Sequence, residues 1–333
     1  MKKISFFVLL IGLVSCNKNN EKIEAMNLSY PDYFPSPVYA ISSNQFTLDR
    51  FILGKKLFFE TRLSSDNSIS CGSCHSQTHA FADHNITFSF GVGGAVGTRN
   101  SPSIVNLAWS PSFMWDGGVN HLEVFPIAPI TNHLEMNESI AGVLEKLNAD
   151  EGYRQLFKKA YGNEQITDQA MLKAMAVYMY SIVSYNSKYD QYRKGETSLS
   201  TNEMQGMQLF QQKCTSCHTE PLFTNYSYQN NGLDSIFSDL GRALITQNTS
   251  DEGKFKVPTL RNIELTYPYM HDGRFWTLQQ VLNHYSSGVK GSSTLASGLS
   301  GGIPLTSQEK ALIIDFLETL TDYDLLGNQL YYE

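Results

Sequence analysis

Two segments of this chain read Cys-x-x-Cys-His, and their residue types and spacing point to one chemistry. Two thiols three positions apart can form thioether bonds to a porphyrin, and the histidine that follows can bind its iron. One such segment could arise by chance or serve as a zinc or redox site, but two favour covalent haem attachment. The residues that would hold the two c-type haems are Cys71, Cys74 and His75 for the first, and Cys214, Cys217 and His218 for the second.

The N-terminal residues have the pattern of an export signal. Lys2 and Lys3 precede an apolar run from Ile4 to Val14, which is too short to cross a bilayer as a helix. The run leads to Cys16, as in bacterial lipoprotein signals, whose cysteine becomes the lipidated first residue of the mature chain. We therefore predict export to the periplasmic side and a lipid anchor at Cys16. Simple secretion, with Cys16 removed or left free, is the alternative.

The cysteine count and the net charge bear on two further properties, structural disulfides and nucleic-acid binding. The lipid anchor and the two haem segments account for all 5 cysteines, so none is left for a structural disulfide. The formal net charge is −7, so the chain has no basic surplus with which to neutralise phosphates. Nucleic acid is therefore excluded as a partner.

Helical patterns dominate the rest of the chain. Apolar residues recur at helical spacing in 140–147 and 312–320, and capping boxes begin at Ser200 and Thr306. A weak repeat, Gly54–Phe58 and Gly206–Phe210, precedes the two haem segments. We predict an all-α fold of two cytochrome c-like domains. A third set of residues at helical spacing, which we assign to core packing rather than to haem ligation, is Met171, Met175 and Met179.

From about Leu53 to Tyr285 and on into the last helix, the sequence resembles the bacterial di-haem cytochrome c peroxidases and the related MauG and MbnH enzymes. The N-terminal part, from Phe34 to Cys74, looks closer to MbnH than to the other members. The resemblance implies a haem-dependent enzyme that reacts with hydrogen peroxide. The motifs that carry it, besides the haem segments, are Arg99–Ser103, Met114–Gly118, Asn132–Met136, Pro258–Asn262 and Tyr269–Gly273.

The predicted division of the chain follows from these features. Residues 1–16 form the signal peptide, and 17–45 form a tether and N-terminal extension. Residues 46–190 form the N-terminal cytochrome c domain, which by resemblance carries the peroxide-binding haem. Residues 191–333 form the C-terminal cytochrome c domain with the electron-transfer haem.

The resemblance assigns two catalytic roles. Glu135 matches the acid over the peroxide-binding haem, where a carboxylate can move a proton between the peroxide oxygens. Trp115 matches a tryptophan between the haems that relays an electron. The alternatives are a surface glutamate at a helix start, and a buried aromatic residue of the kind we expect for Trp109 and Trp276.

Tyr285 matches the axial ligand of the second haem, which is methionine in conventional peroxidases and tyrosine in MauG-type enzymes. A phenolate stabilises oxidised iron, whereas methionine raises the haem potential. A capping box at Thr277 begins the helix, and the apolar spacing turns Tyr285 inward and His284 away. A core tyrosine, with Met270 as the ligand instead, is the alternative.

Other positions complete the comparison with the family. Val92 stands where conventional peroxidases carry a distal histidine, so we expect a five-coordinate first haem; His79 and His84, which we expect to be loop residues, are the other candidates. Phe125 replaces a glutamine of the MauG distal pocket. The positions that match an interdomain calcium site in the family are Asn100, Thr266 and Pro268.

The sequence therefore predicts a di-haem peroxidase or oxidase that uses hydrogen peroxide to oxidise an exported partner protein at a distance. The favoured target is a tryptophan of that partner, as in the MauG-like and MbnH-like enzymes. A conventional peroxidase that takes electrons from a small cytochrome is the first alternative. A di-haem electron carrier without chemistry of its own is the second.

Overall fold

Helices form most of the regular structure in the computed structural model, which describes residues 25–333. This confirms the predicted all-α fold, and the described residues add only one sheet of two short antiparallel strands. Cys16, the predicted lipidation site, lies outside the described residues. Within residues 25–333, no helix is both long and apolar enough to cross a membrane.

The elements follow one another along the chain with long loops between several of them. The helices are α1 (Leu48–Phe58), α2 (Cys71–Cys74), α3 (Ile127–Thr131), α4 (Ile140–Asn148), α5 (Glu151–Tyr161), α6 (Asp168–Ser181), α7 (Lys188–Arg193), α8 (Thr201–Lys213), α9 (Ala243–Thr246), α10 (Leu278–Asn283), α11 (Ser307–Glu318) and α12 (Tyr323–Gly327). The strands are β1 (Tyr228–Gln229) and β2 (Phe255–Lys256). A π-helical turn, His284–Gly288, continues α10.

The predicted capping boxes begin α8, α10 and α11. In each, the N-cap hydroxyl accepts a hydrogen bond from the backbone three residues on, and the side chain at that position accepts one in return. The N-cap residues are Ser200, Thr277 and Thr306. Each box pairs groups that a helix start leaves unpaired, which is why these boundaries could be read from the sequence.

The two halves of the molecule repeat one helix pair. In the first half α1 crosses α6, and in the second α8 crosses α11. A glycine lies at each crossing: a methyl group on Gly54 would overlap the carbonyl oxygen of Ala174, and one on Gly206 would overlap that of Leu312. The repeat seen in the sequence therefore marks the points where two helix backbones approach most closely.

Gly54→Ala is expected to destabilise the protein by about 1–3 kcal/mol, because the helices must move apart to admit the methyl group. Gly152→Ala is the matched control, since Gly152 is an exposed glycine of α5 with only the Asp150 carboxylate near its added methyl. This control should stabilise by up to about 1 kcal/mol through its helix propensity. Urea unfolding of both variants measures the difference, and equal effects would contradict the close crossing.

The repeat extends into the loops that follow the haem segments. Asn106 and Asn262 both adopt left-handed backbone conformations, as do Met114 and Met270. The Oδ1 atom of each asparagine accepts a hydrogen bond from the backbone after the long helix of its half, from Ser184 N–H at 2.8 Å and from Asp322 N–H at 2.8 Å. Trp115, which follows Met114, is therefore equivalent to His271, which follows Met270.

Three apolar clusters form the core, two in the first half and one in the second. The predicted methionine stripe of α6 is fully or nearly fully buried in the first two clusters, which confirms its structural role. The C-terminal residues return to the first half, where Tyr331 packs against Phe51 and Phe81. Residues of the N-terminal extension, among them Phe34, join the same cluster.

One buried ion pair ties these parts together. The Arg261 guanidinium donates to both carboxylate oxygens of Asp190 at 2.8 Å, and neither side chain is exposed. Tyr33 of the N-terminal extension also donates to Asp190, at 2.8 Å. The predicted domain limit at 190/191 stays a prediction, and Asp190 joins segments on both sides of it.

Candidate functional site

Both haem-segment histidines are oriented by a backbone carbonyl. His75 Nδ1 lies 2.8 Å from the Phe81 carbonyl oxygen, and His218 Nδ1 lies 3.0 Å from that of Phe223. In each case an Nδ1–H that donates to the carbonyl leaves Nε2 unprotonated, so that its lone pair can bind a metal. In this structure His75 Nε2 lies 3.5 Å from the Ser101 hydroxyl oxygen. Both phenylalanines have left-handed backbones, which turn these carbonyls toward the rings.

A cavity of about 550 Å³ opens beside the second segment. This lies within the range of roughly 300–1,000 Å³ that ligand pockets occupy. Cys214, Cys217 and His218 line one part of the wall, and Tyr285 lines another. The cavity therefore presents two thiols, an imidazole and a phenol to a single space, a donor set that fits a covalently attached haem.

Tyr285 lies in the π-helical turn that continues α10. The predicted inward face is confirmed, because Leu278, Val281 and Leu282 line the same cavity as Tyr285. Burial raises the pKa of the Tyr285 phenol to about 12, although a hydrogen bond from the Asn231 side chain acts in the opposite direction. A positive charge such as a ferric iron would be needed to stabilise its phenolate at neutral pH.

His284 differs from the prediction that it points away from the protein. Its side chain is buried, and its Nε2 lies 3.0 Å from the carbonyl oxygen of Asn231. The segment that carries Asn231 covers this side of the helix, and periodicity within the helix does not report such a tertiary contact.

Trp115 also lines the large cavity. Hydrogen bonds hold both its side chain and its backbone. Its indole Nε1–H donates to the Asn100 carbonyl oxygen at 2.8 Å, and its own carbonyl accepts from the Lys256 N–H of the other half at 2.7 Å. Next to it, Arg99 pairs with Asp116 at 2.5 Å and, across the halves, with Asp239 at 2.7 Å. The indole is thus fixed where the two halves meet.

Glu135 lies in the loop after α3, not at the start of a helix, since α4 begins at Ile140. Its Oε1 accepts a hydrogen bond from the Asn132 amide at 2.7 Å. Burial raises the pKa of Glu135, and the Asn132 hydrogen bond offsets part of that shift. The next residue, Met136, belongs to the apolar cluster against which Cys71 packs, so the loop that carries Glu135 lies near the first haem segment.

The loop after the first segment packs against Glu135. Val92 N–H donates to the Glu135 carbonyl at 2.8 Å, so Val92 lies beside the residue predicted to act on peroxide. His79 and His84 stack on each other, with ring centroids 3.6 Å apart. Phe125 packs against Phe113 at 5.2 Å and contributes an apolar surface to the large cavity.

The three positions matched to calcium line the same cavity between the halves. The Asn100 amide donates to the Thr87 carbonyl at 3.2 Å, which orients its side chain, and Thr266 and Pro268 lie in the second-half loop. Among residues 25–333 no cluster of three or more His, Cys, Asp or Glu side chains could hold a metal. A calcium ion here would rely on neutral amide and carbonyl oxygens, which it accepts as ligands.

The two remaining tryptophans differ from each other. Trp109 is buried as predicted, and its indole donates to the Pro35 carbonyl at 2.6 Å. Trp276 is 44% exposed, so the prediction of a buried aromatic residue is wrong for it. It immediately precedes the N-cap Thr277, where the chain enters α10 at the surface.

Two features of the site were missed in the sequence. The carbonyls of Phe81 and Phe223 orient the histidines, but Phe81 follows its histidine by six residues and Phe223 by five, so aligning the haem segments does not pair them. Asn231 lines the same cavity as Tyr285, and its side chain and carbonyl contact Met270 and His284. Nothing in the spacing of Asn231 marks it, because it meets these residues only through tertiary packing.

Comparison with known proteins gives a consistent result. The family model described as di-haem cytochrome c peroxidase matches residues 49–198. A methylamine utilization protein MauG from Methylophilus methylotrophus is 34% identical over 297 residues, which cover 87% of this chain and 86% of the relative. A cytochrome c551 peroxidase from Nitrosomonas europaea is 35% identical over 296 residues, with coverage of 86% and 83%.

A solved structure is similar over nearly the full length. It is the crystal structure of a MauG-like protein associated with microbial copper homeostasis, with 32% identity and a TM-score of 0.85. The match covers 92% of this chain and 99% of that chain. The fold of this chain is therefore similar to that structure over nearly its full length.

Proposed function

The chain belongs to the di-haem cytochrome c peroxidase family, which includes the MauG proteins, and on that premise we propose that it uses hydrogen peroxide to oxidise a partner protein by long-range electron transfer. Membership makes it a haem-dependent oxidoreductase, so the hypothesis of a carrier without chemistry is set aside. The proposal differs from a conventional cytochrome c peroxidase in the electron donor, which is a partner protein instead of a small cytochrome.

Each haem would be held by one Cys-x-x-Cys-His segment. Cys71, Cys74 and His75 would attach the first, and Cys214, Cys217 and His218 would attach the second, with Tyr285 as its further ligand. When bound, the haems supply iron at which peroxide is reduced and at which oxidising equivalents are held. The carbonyl-bound Nδ1 atoms of both histidines support this assignment, since they leave Nε2 for iron.

Glu135 moves the proton in the peroxide step. Cleavage of the O–O bond requires a proton to pass from one oxygen to the other, so that the leaving oxygen departs as water. A carboxylate accepts the proton from the first oxygen and returns it to the second. The partial burial of Glu135 and its hydrogen bond from Asn132 hold it in one position for both transfers.

Trp115 carries oxidising equivalents between the two sites. Its indole is fixed by Asn100 and its backbone by Lys256, so the ring need not move for electron transfer. A calcium ion bound by Asn100, Thr266 and Pro268 would stiffen the same region.

The observation that carries the MauG-type proposal is Tyr285 in the cavity of the second haem segment. An anionic oxygen ligand favours oxidised iron, which suits a site that removes electrons from a distant donor. The donor we propose is an oxidisable tryptophan of an exported partner protein. We further propose that the chain acts on the periplasmic side, lipid-anchored through Cys16.

A second function is favoured by one comparison. The 35% identity to a cytochrome c551 peroxidase is as high as that to MauG, so a small cytochrome is the alternative electron donor. Under this alternative the protein would turn over peroxide steadily with a reduced cytochrome and would leave no modified partner. The ligands and spin states of the two haems separate the two cases.

Low-temperature EPR of the resting diferric protein, repeated after addition of peroxide, tests the proposal. We expect one high-spin haem, because Val92 supplies no ligand, and one low-spin haem ligated by Tyr285. Both signals should decrease on addition of peroxide without prior reduction. Two low-spin haems that react only after one-electron reduction would support the conventional peroxidase instead.

Trp115→Phe sharpens this experiment because it removes the relay without adding charge. The high-spin signal should still respond to peroxide, whereas the low-spin signal should respond much more slowly. Trp109→Phe is the matched control, since Trp109 is buried in the core and lies outside the large cavity. An unchanged low-spin response in Trp115→Phe would exclude the proposed relay.

A further inference from the structure

Residues 291–305 form a strap without charged side chains along the cavity of the second haem segment. The buried side chain of Asn230 anchors the first part of the strap, because its Nδ2 donates to two hydroxyl groups there, both at 2.9 Å. Farther along, residues 296–299 and Ile303 line the cavity that Tyr285 also lines. The strap and the proposed axial ligand therefore border the same space.

The strap also holds the backbone of Tyr285. This residue lies in the π-helical turn His284–Gly288, and in a π-helix each carbonyl pairs with the N–H five residues on. For Tyr285 that N–H belongs to Lys290, which donates instead to the Gly232 carbonyl at 2.8 Å. The Tyr285 carbonyl accepts from the Ile303 N–H of the strap at 2.7 Å. This hydrogen bond joins the strap to the backbone that carries the phenol.

Gly302 sets how closely the strap can approach the π-helical turn. A methyl group on Gly302 would lie 2.8 Å from the Ser286 carbonyl oxygen and 3.1 Å from that of Tyr285, so backbone atoms would have to move apart. Its φ of +78° also lies in the left-handed region that glycine adopts readily. Gly301 has a similar φ of +83°, but a methyl group there would meet nothing within 4 Å. Of these two glycines, only Gly302 touches the turn.

A fixed backbone matters for a tyrosine ligand. Only two torsions separate the ring of Tyr285 from its backbone, so a backbone shift is passed on to the phenol oxygen. A ligand that is already held in its binding position loses less conformational freedom when it binds, and it therefore competes better against other ligands. Contacts behind a ligand of this kind tune its affinity for the metal without touching the metal.

We propose that Gly302 is a positioning residue for the second haem: it lets the strap donate to the Tyr285 carbonyl and so keeps this ligand in place. The inference rests on the proposed function, because it takes Tyr285 as the axial ligand. It adds a determinant of ligation that lies outside both haem segments and outside the turn that carries the ligand.

Gly302→Ala in the haem-loaded, full-length protein tests the inference, with imidazole as a competing iron ligand. Imidazole displaces a weakened axial ligand more easily. Its dissociation constant at the second haem should therefore fall by about 2- to 10-fold, the factor that corresponds to the loss of one hydrogen bond. EPR spectra at increasing imidazole concentration follow the low-spin signal of the second haem. The first haem is the internal reference, and its dissociation constant should not change.

Gly301→Ala is the matched control, because it places alanine on the same left-handed backbone without the contact to the π-helical turn. Its imidazole dissociation constants should equal those of the wild type. Equal constants in Gly302→Ala and Gly301→Ala would overturn the inference and leave the proposed function intact.

A measurement on the wild type covers the case in which Gly302→Ala does not fold. Coupling between two sites is reciprocal, so imidazole that displaces Tyr285 should loosen the strap in turn. Hydrogen exchange of the Ile303 amide should then be faster by a similar factor at saturating imidazole. Exchange that imidazole leaves unchanged would overturn the inference.

Tyr285→Phe separates this inference from the proposed function. The variant should bind imidazole at the second haem more tightly than any strap variant, because no phenol remains to be displaced. A dissociation constant equal to that of the wild type would remove Tyr285 as the ligand, and with it the MauG-type proposal.

Discussion

Glu135→Gln is expected to slow the reaction of the diferric protein with hydrogen peroxide by about 10²–10⁴-fold, because it removes the group that moves the proton. Stopped-flow measurement of the second-order rate constant gives the effect directly. Glu138→Gln is the matched control, because the substitution makes the same change in charge. Glu138 lies three residues after Glu135 and pairs with Lys146. Equal rates in the two variants would show that Glu135 does not act on peroxide.

The pH dependence of the same rate constant carries a second signature of Glu135. Burial raises the pKa of this carboxyl, so the rate should decline with falling pH at a higher pH than an ordinary glutamate would give. Asn132→Leu removes the hydrogen bond that lowers this pKa and should move the decline to still higher pH. A decline that does not move in Asn132→Leu would assign it to another group.

Asp190→Ala is expected to destabilise the folded protein by about 3–5 kcal/mol, because the Arg261 guanidinium would remain buried without its counter-charge. Guanidinium chloride unfolding measures the loss. Glu164→Ala is the control: Glu164 pairs with Lys158 on the surface, and breaking such an exposed pair costs at most about 1 kcal/mol. A similar, small cost for Asp190→Ala would contradict the buried position of the pair.

Stability should also depend on pH through Asp190. Burial alone would raise the pKa of the Asp190 carboxyl. The charge of Arg261 and the hydrogen bonds that the carboxylate accepts outweigh burial and lower this pKa. Because the pKa in the folded state lies below that in the unfolded state, Asp190 stabilises the fold above its ordinary pKa. That contribution is lost as the pH falls toward the pKa of the folded state.

Local signals in the sequence predicted much of the fold. The capping boxes at Ser200, Thr277 and Thr306 use only neighbouring residues, so their helix starts were found correctly. The methionine stripe of α6 was assigned to the core because helical spacing reports a buried face. The inward position of Tyr285 followed from the same periodicity.

Features that depend on contacts between distant loops could not be predicted. Asn231 meets His284 across a separation of 53 residues, and no periodic pattern links them. The buried position of His284 depends on the distant segment of Asn231, whose carbonyl oxygen lies 3.0 Å from the His284 ring nitrogen Nε2. Trp276 is exposed because it precedes a helix start at the surface, and an aromatic residue type alone does not report exposure.

The return of Tyr331 to the first half imposes an order on the making of this protein. Ribosomes deliver the chain from its N-terminus, so α1 and the first haem segment are complete long before residue 331 exists. Until then Phe51 and Phe81 lack the aromatic ring that packs against both. The first half therefore lacks part of its native aromatic packing while the second is being made. Native closure of the first half is then one of the last events of biosynthesis, although its sequence comes first.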